Sequence, residues 1–471
     1  MRLVPFFAIA LYATDLKAQP AAQLSEKARE FVSVSDPVVA LVGVQVVDGT
    51  GAPPLGGQTV VIENGRITAV GGSAVVMVPP GAKRLDLPGH TVIPGIVGMH
   101  DHTFYTTTKR ESQMNVTSPR LYLASGVTTI RTTGSFSPYS EINLKRSIET
   151  GEIVGPRMHV TGPYISGKGA DATMAQVSTP EDARKVVAYW AEEGATWFKA
   201  YTLISRAELA AAIDEAHKHG LKLTAHLCSV TFREAIDMGI DGLEHGFFTN
   251  TEYDADKVPD QCPPDYEEDL RRMDIRGEQV HATIRHMVEN QVALTSTLAV
   301  YELYVPNRPP LEDRVLRMLA PEARDEYLQH RTELAATAKE SVTADVFPRA
   351  QAFEYAFYRA GGLLAAGVDP TGSGGALPGF GDQRNYELLL EAEFTPSDAL
   401  QIMSLNGAKV LGVDKDLGSI APGKIADLVV IEGDPVARPA EIRNVVTVFK
   451  DGVGYDSKKL IASVEGLVGI Q

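Results

Sequence analysis

The stretch Thr91-Val-Ile-Pro-Gly-Ile-Val-Gly-Met-His-Asp-His102 is an apolar run that ends in two histidines. Its β-branched and apolar residues predict a strand over Thr91–Met99. Successive side chains of a strand point to opposite faces, so we expect His100 and His102 to share one face while Asp101 points to the other. Two imidazoles side by side at a strand end indicate a metal-binding position.

The same pattern, an apolar run that ends in polar residues, recurs along the chain. The further candidate strands are Val127–Thr132, Met158–Pro163, Thr196–Tyr201, Leu221–Leu227, Gly242–His245, Val292–Leu298 and Leu363–Asp369. Helix-start signals lie between several of them, namely a capping box at Ser205-Arg-Ala-Glu208 and N-cap threonines at Thr179 and Thr395. Eight strands that alternate with helices predict an α/β fold of the (β/α)8 TIM-barrel type, which we assign to residues 93–412.

Four other strand ends carry residues suited to the same kind of site. These residues are Lys199, His226, His245 and Asp369. The active site of a (β/α)8 barrel lies at the C-terminal ends of its strands, so all six residues are expected on one face. A lone histidine is more often packed or exposed than a ligand. Four histidines, one carboxylate and one lysine on a single face instead predict a site for divalent metal ions.

Both ends of the chain carry shorter β-type segments. Val38–Val47 and Gln58–Gly71 lie near the N-terminus, where Asn64-Gly65 is a strong hairpin signal. Ile425–Glu432 and Val445–Lys450 lie near the C-terminus. Neither group is large enough alone, so we predict one small β-sandwich domain built from residues 37–92 and 413–456.

The first residues have the features of an export signal. Arg2 precedes the apolar run Leu3–Ala13, which matches the core of a signal peptide and is too short to span a membrane. We therefore predict a signal peptide over residues 1–18, cleaved near Ala13 or Ala18, and a periplasmic or secreted protein. The alternative is an ordinary amphipathic helix at the start of a cytoplasmic protein.

The net charge limits the kinds of partner that we expect, and the cysteine content limits the disulfides. The net charge of −16 argues against nucleic acids and anionic membranes as partners and leaves a small-molecule substrate. A homo-oligomer is left open. Cys228 and Cys262 are the only cysteines, so we expect no disulfide framework. Cys228 follows His226 by two residues and could face the pocket, but a catalytic role for it is not expected.

Three motifs carry a resemblance to a known family. They are Pro94-Gly-Ile-Val-Gly-Met-His-Asp-His102, Ser404-Leu-Asn-Gly-Ala408 and Gly418-Ser-Ile-Ala-Pro-Gly-Lys-Ile-Ala-Asp-Leu-Val-Val430. Through them the chain resembles the amidohydrolase superfamily, in the binuclear branch that includes prolidase-like and imidazolonepropionase-like hydrolases. The resemblance runs from Val38 to Tyr455 and is weakest between Phe247 and Pro348, within a predicted insert at about 247–348.

The resemblance implies a role for each of the six residues. Two divalent ions are expected, with zinc the expected metal. The assigned ligands are His100, His102 and Asp369 for one ion, and His226 and His245 for the other. Lys199, carboxylated by CO2, would bridge both ions. A hydroxide between the ions would attack the substrate, and Asp369 would be the catalytic residue that carries the proton to the leaving nitrogen.

The resemblance also implies a reaction. We expect hydrolysis of a C–N amide bond in a dipeptide or an N-acyl amino acid. The alternative within enzymes is a hydrolase of cyclic amides or lactones. A non-catalytic structural protein on the same fold is the alternative of another class, and loss of ligands would mark it.

Substrate contacts are expected from residues that follow the barrel strands. Arg131, Lys168 and Arg384 are candidates for binding a substrate carboxylate, which needs a cation or several donors. Tyr164 and Tyr201 are candidates for flanking an apolar or aromatic group. In the insert, Tyr301, Tyr304 and Arg308 form either a wall of the site or part of a solvated excursion.

Export is testable with the native N-terminus. Expressed in a bacterium, the protein should be recovered from the periplasm and begin near Ala13 or Ala18 when its N-terminal sequence is determined. A cytoplasmic enzyme that retains Met1 would refute the predicted signal peptide.

Overall fold

The computed structural model describes residues 16–470. Residues 1–15, which hold most of the predicted signal peptide, and Gln471 lie outside the described residues. No helix in the described part of the chain is both long enough and apolar enough to cross a membrane.

Strands and helices alternate through most of the described chain. In chain order the strands are β1 (Val32–Val34), β2 (Val38–Val46), β3 (Leu55–Glu63), β4 (Arg66–Gly72), β5 (Lys83–Asp86), β6 (His90–Pro94), β7 (Ile96–Asp101), β8 (Phe104–Thr106), β9 (Glu111–Gln113), β10 (Val127–Thr132), β11 (Arg157–His159), β12 (Thr161–Gly167), β13 (Ala175–Val177), β14 (Trp197–Ala200), β15 (Lys222–Ala225), β16 (Gly242–Glu244), β17 (Ala293–Ser296), β18 (Leu364–Ala366), β19 (Leu428–Glu432), β20 (Val445–Lys450) and β21 (Val453–Asp456). The helices are α1 (Glu26–Arg29), α2 (Thr117–Ala124), α3 (Pro138–Glu149), α4 (Pro180–Glu193), α5 (Arg206–Lys218), α6 (Phe232–Asp237), α7 (Tyr266–Leu270), α8 (Glu278–Glu289), α9 (Leu298–Glu302), α10 (Asp313–Met318), α11 (Pro321–Ala336), α12 (Val342–Arg359), α13 (Phe380–Glu391), α14 (Pro396–Gln401), α15 (Gly407–Leu411) and α16 (Ser457–Ala462). Short 3-10 turns lie at Ala21–Gln23, Gly246–Thr249, Thr251–Tyr253, Ala338–Glu340 and Pro439–Arg443, and a π-helical segment, Ile402–Asn406, joins α14 to α15.

The predicted helix starts are present. The Ser205 hydroxyl accepts from the backbone of Glu208, and the Glu208 carboxylate accepts from the backbone of Ser205, which completes the capping box of α5. Thr179 and Thr395 cap α4 and α14 in the same position, each followed by proline at the first helical residue.

Strands from both ends of the chain form one nine-stranded sheet. Its order is β1-β21-β20-β19-β6-β2-β3-β4, with β5 also paired to β2. The predicted hairpin is present, since Asn64 and Gly65 both have positive φ between β3 and β4. The predicted small domain from both chain ends is present as this one hydrogen-bonded sheet, in which the long strand β2 pairs antiparallel with β3 and parallel with both β5 and β6.

The stretch from Thr91 to His102 contributes strands to two sheets rather than one. The predicted strand Thr91–Met99 divides at Gly95 into β6, in the nine-stranded sheet, and β7, in a parallel sheet. A Cβ atom on Gly95 would stand 2.1 Å from the Thr128 hydroxyl oxygen. Only glycine therefore allows the chain to cross from one sheet to the other here.

The other large strands are parallel and lie in two sheets. One has the order β13-β12-β14-β15-β16-β17-β18 and the other the order β11-β10-β7, while β8 and β9 form a small hairpin. A single bridge between Ser135 and Pro163 joins the two sheets on one side. On the other side the Asp369 amide donates to the His100 carbonyl oxygen at 2.7 Å. The pairing shows two parallel sheets in contact, not an unbroken eight-stranded ring.

The two cysteines form a disulfide, which corrects the expectation that they would not pair. The Cys228–Cys262 bond joins the segment after β15 to the loop before α7, with the two Cα atoms 4.8 Å apart. Their separation of 34 residues in the sequence gave no indication of this contact. The bonded Cys228 is buried and does not line the cavity at the C-terminal ends of the parallel strands.

Candidate metal centre

The C-terminal ends of the parallel strands open onto one cavity of about 390 Å³. Its lining comprises His100, Phe104, Thr106, Phe136, Tyr164, Met174, Lys199, Tyr201, His226, His245, Val300, Tyr301, Tyr304, Asp369, Thr371 and Gly372. His100 is in β7 and Lys199 in β14, while His226 and His245 directly follow β15 and β16. Five of the six predicted metal-site residues therefore border the same space, and the sixth, His102, contacts Asp369.

Asp369 lies at the centre of this group. One carboxylate oxygen is 3.5 Å from His100 Nε2 and the other is 3.4 Å from His102 Nε2. His245 Nδ1 is 3.9 Å from the first of these oxygens. Both imidazoles of the His100-Asp-His102 motif thus face the same carboxylate, as the alternation of a strand predicted.

Two of these residues have backbone angles that side chains seldom adopt. Asp369 has a φ of +48° and His245 a φ of +68°. Such angles cost free energy for residues other than glycine and concentrate at functional sites. Asp369 is held in place because its amide donates to His100, and its carboxylate accepts from the Thr371 hydroxyl at 2.8 Å.

The ligand atoms of His100, His245 and Asp369 all lie within 4.8 Å of one another. All three residues are buried. The His226 ring adjoins this set, with its centroid 4.4 Å from that of His245. Imidazole nitrogens and a carboxylate are the donor set of zinc and related divalent ions, so this cluster fits a metal.

Two buried polar atoms next to the cluster have no hydrogen-bond partner among the described residues. They are Lys199 Nζ and His102 Nδ1. Buried groups of this kind nearly always have partners, so an orphaned amine beside three imidazoles calls for an explanation. A carboxylated Lys199 that ligates metal would supply one.

Burial sets the charges of the group. It lowers the pKa of Lys199 to about 8, despite the nearby carboxylates of Glu244 and Asp369. Burial, reinforced by Lys199, lowers the pKa of His226 to about 3 and that of His100 well below its usual range. These imidazoles are neutral at physiological pH, which is the form that binds metals.

Asp369 is ionised in the same surroundings. Burial alone would raise its pKa, but the imidazoles of His100 and His102 and the Thr371 hydroxyl together hold the pKa below the usual range. The site therefore pairs a carboxylate with neutral imidazoles, which suits both metal binding and proton transfer.

Glu244, a residue without a predicted role, lies directly behind His100. Its two carboxylate oxygens accept from His100 Nδ1 at 2.7 Å and from Arg131 at 2.5 Å, and Thr224 also donates to it. The bond to Nδ1 fixes the ring of His100 with Nε2 toward the cavity. The sequence signal was its place beside His245, on the opposite face of the strand.

The three predicted carboxylate-binding cations do not line the cavity. Arg131 is 1% exposed, and its side chain lies beneath the site. There it donates to the Glu244 carboxylate and to the Met99 carbonyl oxygen. Lys168 is exposed beyond the end of β12. Arg384, on α13, is paired with Glu302 and Glu387.

The predicted aromatic contacts are at the cavity. Tyr164 and Tyr201 line it, and so do Tyr301 and Tyr304 of the insert. Arg308 does not line it, since it pairs with Glu302 and Glu391.

Two further aromatic residues of the lining were missed. Phe104 follows His102 by two residues, so the same alternation could have found it. Phe136 lies in a loop between β10 and α3 and gave no sequence signal.

The role of Glu244 in orienting His100 is testable. Glu244→Gln should weaken metal affinity by about 10- to 100-fold, because an amide cannot accept from all three donors at once. Competition with a chelator measures this affinity, and Glu278→Gln, on the surface, is the matched control. A Glu244→Gln protein that keeps its circular dichroism spectrum and also its metal affinity would contradict the role.

Comparison with known proteins identifies the family. The amidohydrolase family model matches residues 91–454. No curated protein sequence matches the chain. A candidate prolidase from Bifidobacterium longum is 25% identical, with a TM-score of 0.66 over 91% of this chain and 98% of that one.

Two other solved structures are similar at lower identity and show the fold alone. A Xaa-Pro dipeptidase with bound methionine is 21% identical, with a TM-score of 0.67 over 89% of this chain and 100% of that one. A bottromycin amidohydrolase is 18% identical, with a TM-score of 0.68 over 94% and 95% of the two chains. The family match and the 25%-identical prolidase-like neighbour support a hydrolase that acts on carbon–nitrogen bonds. The chain belongs to the amidohydrolase family.

Proposed function

We propose that this enzyme hydrolyses a C–N amide bond in a small molecule of the dipeptide or N-acyl amino acid type. The observation that carries the proposal is the position of Asp369, whose carboxylate lines the cavity and lies 3.4 to 3.5 Å from the Nε2 atoms of His100 and His102. A carboxylate and a set of metal ligands in one enclosed site suit attack by water on a carbonyl carbon.

The residues divide into ligands and a proton carrier. His100, His102 and Asp369 would hold one divalent ion, His226 and His245 a second, and Lys199, carboxylated by CO2, would bridge them. With zinc as the expected metal, such ions supply an activated water and polarise the scissile carbonyl. The proposal for Lys199 is supported by its burial and by its unpartnered amine.

Asp369 would manage the proton. Its ionised carboxylate accepts a proton from the attacking water and returns it to the leaving nitrogen as the C–N bond breaks. Amide and water thus give a carboxylic acid and an amine. The bond from the Asp369 amide to the His100 carbonyl oxygen holds this carboxylate at the site.

The fold that we propose goes beyond the observed strand pairing, because it closes the parallel strands into a barrel. We propose that residues 93–412 close into a (β/α)8 barrel, with residues 37–92 and 413–456 as a flanking domain. The Ser135–Pro163 bridge and the bond from Asp369 to His100 support closure, since they join the two parallel sheets at both junctions.

We also propose that the protein is exported to the periplasm or secreted. The Cys228–Cys262 disulfide supports this location, because disulfides persist in oxidising compartments and are rare in the cytosol. A cytoplasmic location is the alternative. The net charge of −16 supports a small-molecule substrate over nucleic acid or anionic membrane.

The function is tested by metal analysis of the purified protein and a screen of dipeptides and N-acyl amino acids for amine release. Asp369→Asn should lower kcat by about 10²- to 10⁴-fold, because an amide cannot carry the proton. Asparagine tolerates positive φ, so the fold should survive. If kcat is unchanged while stability falls, Asp369 has only a structural role.

The bridging role of Lys199 has a separate test. Lys199→Ala should lose activity and at least one of about two metal ions per chain, measured by elemental analysis. Short carboxylic acids should restore part of the activity by occupying the bridge position. Lys185→Ala, on the surface, is the matched control. A fully active Lys199→Ala enzyme would rule out the bridge.

A further inference from the structure

The charged side chains and the imidazoles of the cavity lining all belong to the proposed metal site. They are His100, Lys199, His226, His245 and Asp369. The rest of the described lining is uncharged and mostly aromatic. It contains no arginine, and no lysine other than Lys199.

One side of the lining is a continuous row of aromatic rings, which we call the aromatic wall. It consists of Phe104, Phe136, Tyr164 and Tyr201. The successive ring centroids are 4.7, 5.1 and 5.1 Å apart. The row ends at the metal site, since the Tyr201 centroid is 4.8 Å from that of His226. These separations are typical of favourable aromatic pairs, so the wall is packed in advance of any substrate.

The insert contributes further aromatic lining through Tyr301 and Tyr304. The Tyr301 ring stacks on Phe248 with centroids 3.7 Å apart and planes 6° apart, and its centroid is 5.5 Å from that of His245. Helix α9, which carries Tyr301, is anchored by the buried Glu302 at its last residue, which accepts from Arg384 and Arg308. This part of the lining is therefore a fixed surface.

Three arginines outside the lining are already paired with carboxylates. Arg131 is paired with Glu244 beneath His100, and both Arg308 and Arg384 are paired with Glu302. A substrate carboxylate beside the aromatic wall would lose its hydration without gaining an ion pair, which is costly. Tyrosine hydroxyls at the cavity remain suitable partners for neutral amide and carbonyl groups.

We infer that the enzyme selects neutral amides in which a flat aromatic group, seated against the aromatic wall, adjoins the scissile bond. This inference rests on the proposed function and narrows its substrate class to derivatives of that type whose carboxylate is masked as a neutral amide. It replaces a free carboxylate as the recognised feature. Because burial of an aromatic ring is favourable, the aromatic group should raise kcat/KM by about 10- to 100-fold.

The experiment compares three substrates with zinc-loaded enzyme: N-benzoylglycinamide, N-benzoylglycine and N-acetylglycinamide. Chromatography follows release of glycinamide or glycine, so only cleavage of the acyl–nitrogen bond is scored. N-benzoylglycinamide should exceed N-acetylglycinamide by at least about tenfold in kcat/KM. It should equal or exceed N-benzoylglycine. A tenfold preference for the free acid, or no benefit from the benzoyl group, would overturn the inference.

The variant Phe136→Ala tests whether the aromatic wall causes the preference for the benzoyl group. Phe136 lies in a loop rather than in a strand or helix, so its removal should leave the fold intact. The variant should lose about tenfold in kcat/KM for N-benzoylglycinamide and stay within about twofold for N-acetylglycinamide. Tyr189→Ala, whose side chain is exposed on α4, is the matched control and should change neither value. Equal losses for both substrates would count against the wall.

Binding measurements distinguish a failure of this inference from a failure of the proposed function. If no amide is hydrolysed, the proposed function fails, and calorimetry with the same ligands still tests the wall. N-benzoylglycinamide should then bind more tightly than both N-benzoylglycine and N-acetylglycinamide, and Phe136→Ala should remove that advantage. Absence of binding by the benzoyl amide, or tighter binding of the acid, would overturn the inference.

Discussion

The hydrogen bond from the Asp369 amide to the His100 carbonyl, at 2.7 Å, is the contact on which the site depends. It brings the chain after β18 against the end of β7, and so places the Asp369 carboxylate beside His100 and His102. The approach requires Gly367, because a Cβ atom there would stand 2.1 Å from the His100 nitrogen. The same contact joins the first and last parallel strands, so the architecture and the chemistry share one constraint.

Behind this contact, a buried charge network fixes what the cavity presents. Glu244 and Arg131 are almost fully buried and form an ion pair with each other. Glu244 also accepts a hydrogen bond from His100 Nδ1. Removing two charges from water is costly, and the cost is offset only when every remaining donor and acceptor is used. Arg131 uses two more of its donor contacts on the Met99 carbonyl. The arginine is therefore a support for the metal ligands rather than a contact for substrate.

The sequence predicted the parallel strands and the clustering of the six candidate residues, because both follow from local patterns. Strand alternation placed His100 and His102 on one face, and the position of Lys199, His226 and His245 at strand ends brought them to one cavity. What it missed depends on contacts between distant segments. The crossing at Gly95 is set by Thr128, and the destination of Arg384 is set by Glu302. The Cys228–Cys262 bond likewise depends on where two loops meet.

The nine-stranded sheet has a consequence for how the chain folds. Strand β6 lies between β2, from the start of the chain, and β19, from near its end, with Val92 opposite Val430. During synthesis on the ribosome, the apolar edge of β6 that pairs with β19 therefore stays unpaired until almost the whole chain has been made. Such long-range pairing slows folding and leaves an aggregation-prone edge exposed. Nascent chains of this protein should therefore depend on chaperones that bind extended apolar segments, and C-terminal truncations that remove β19 should leave the N-terminal strands insoluble.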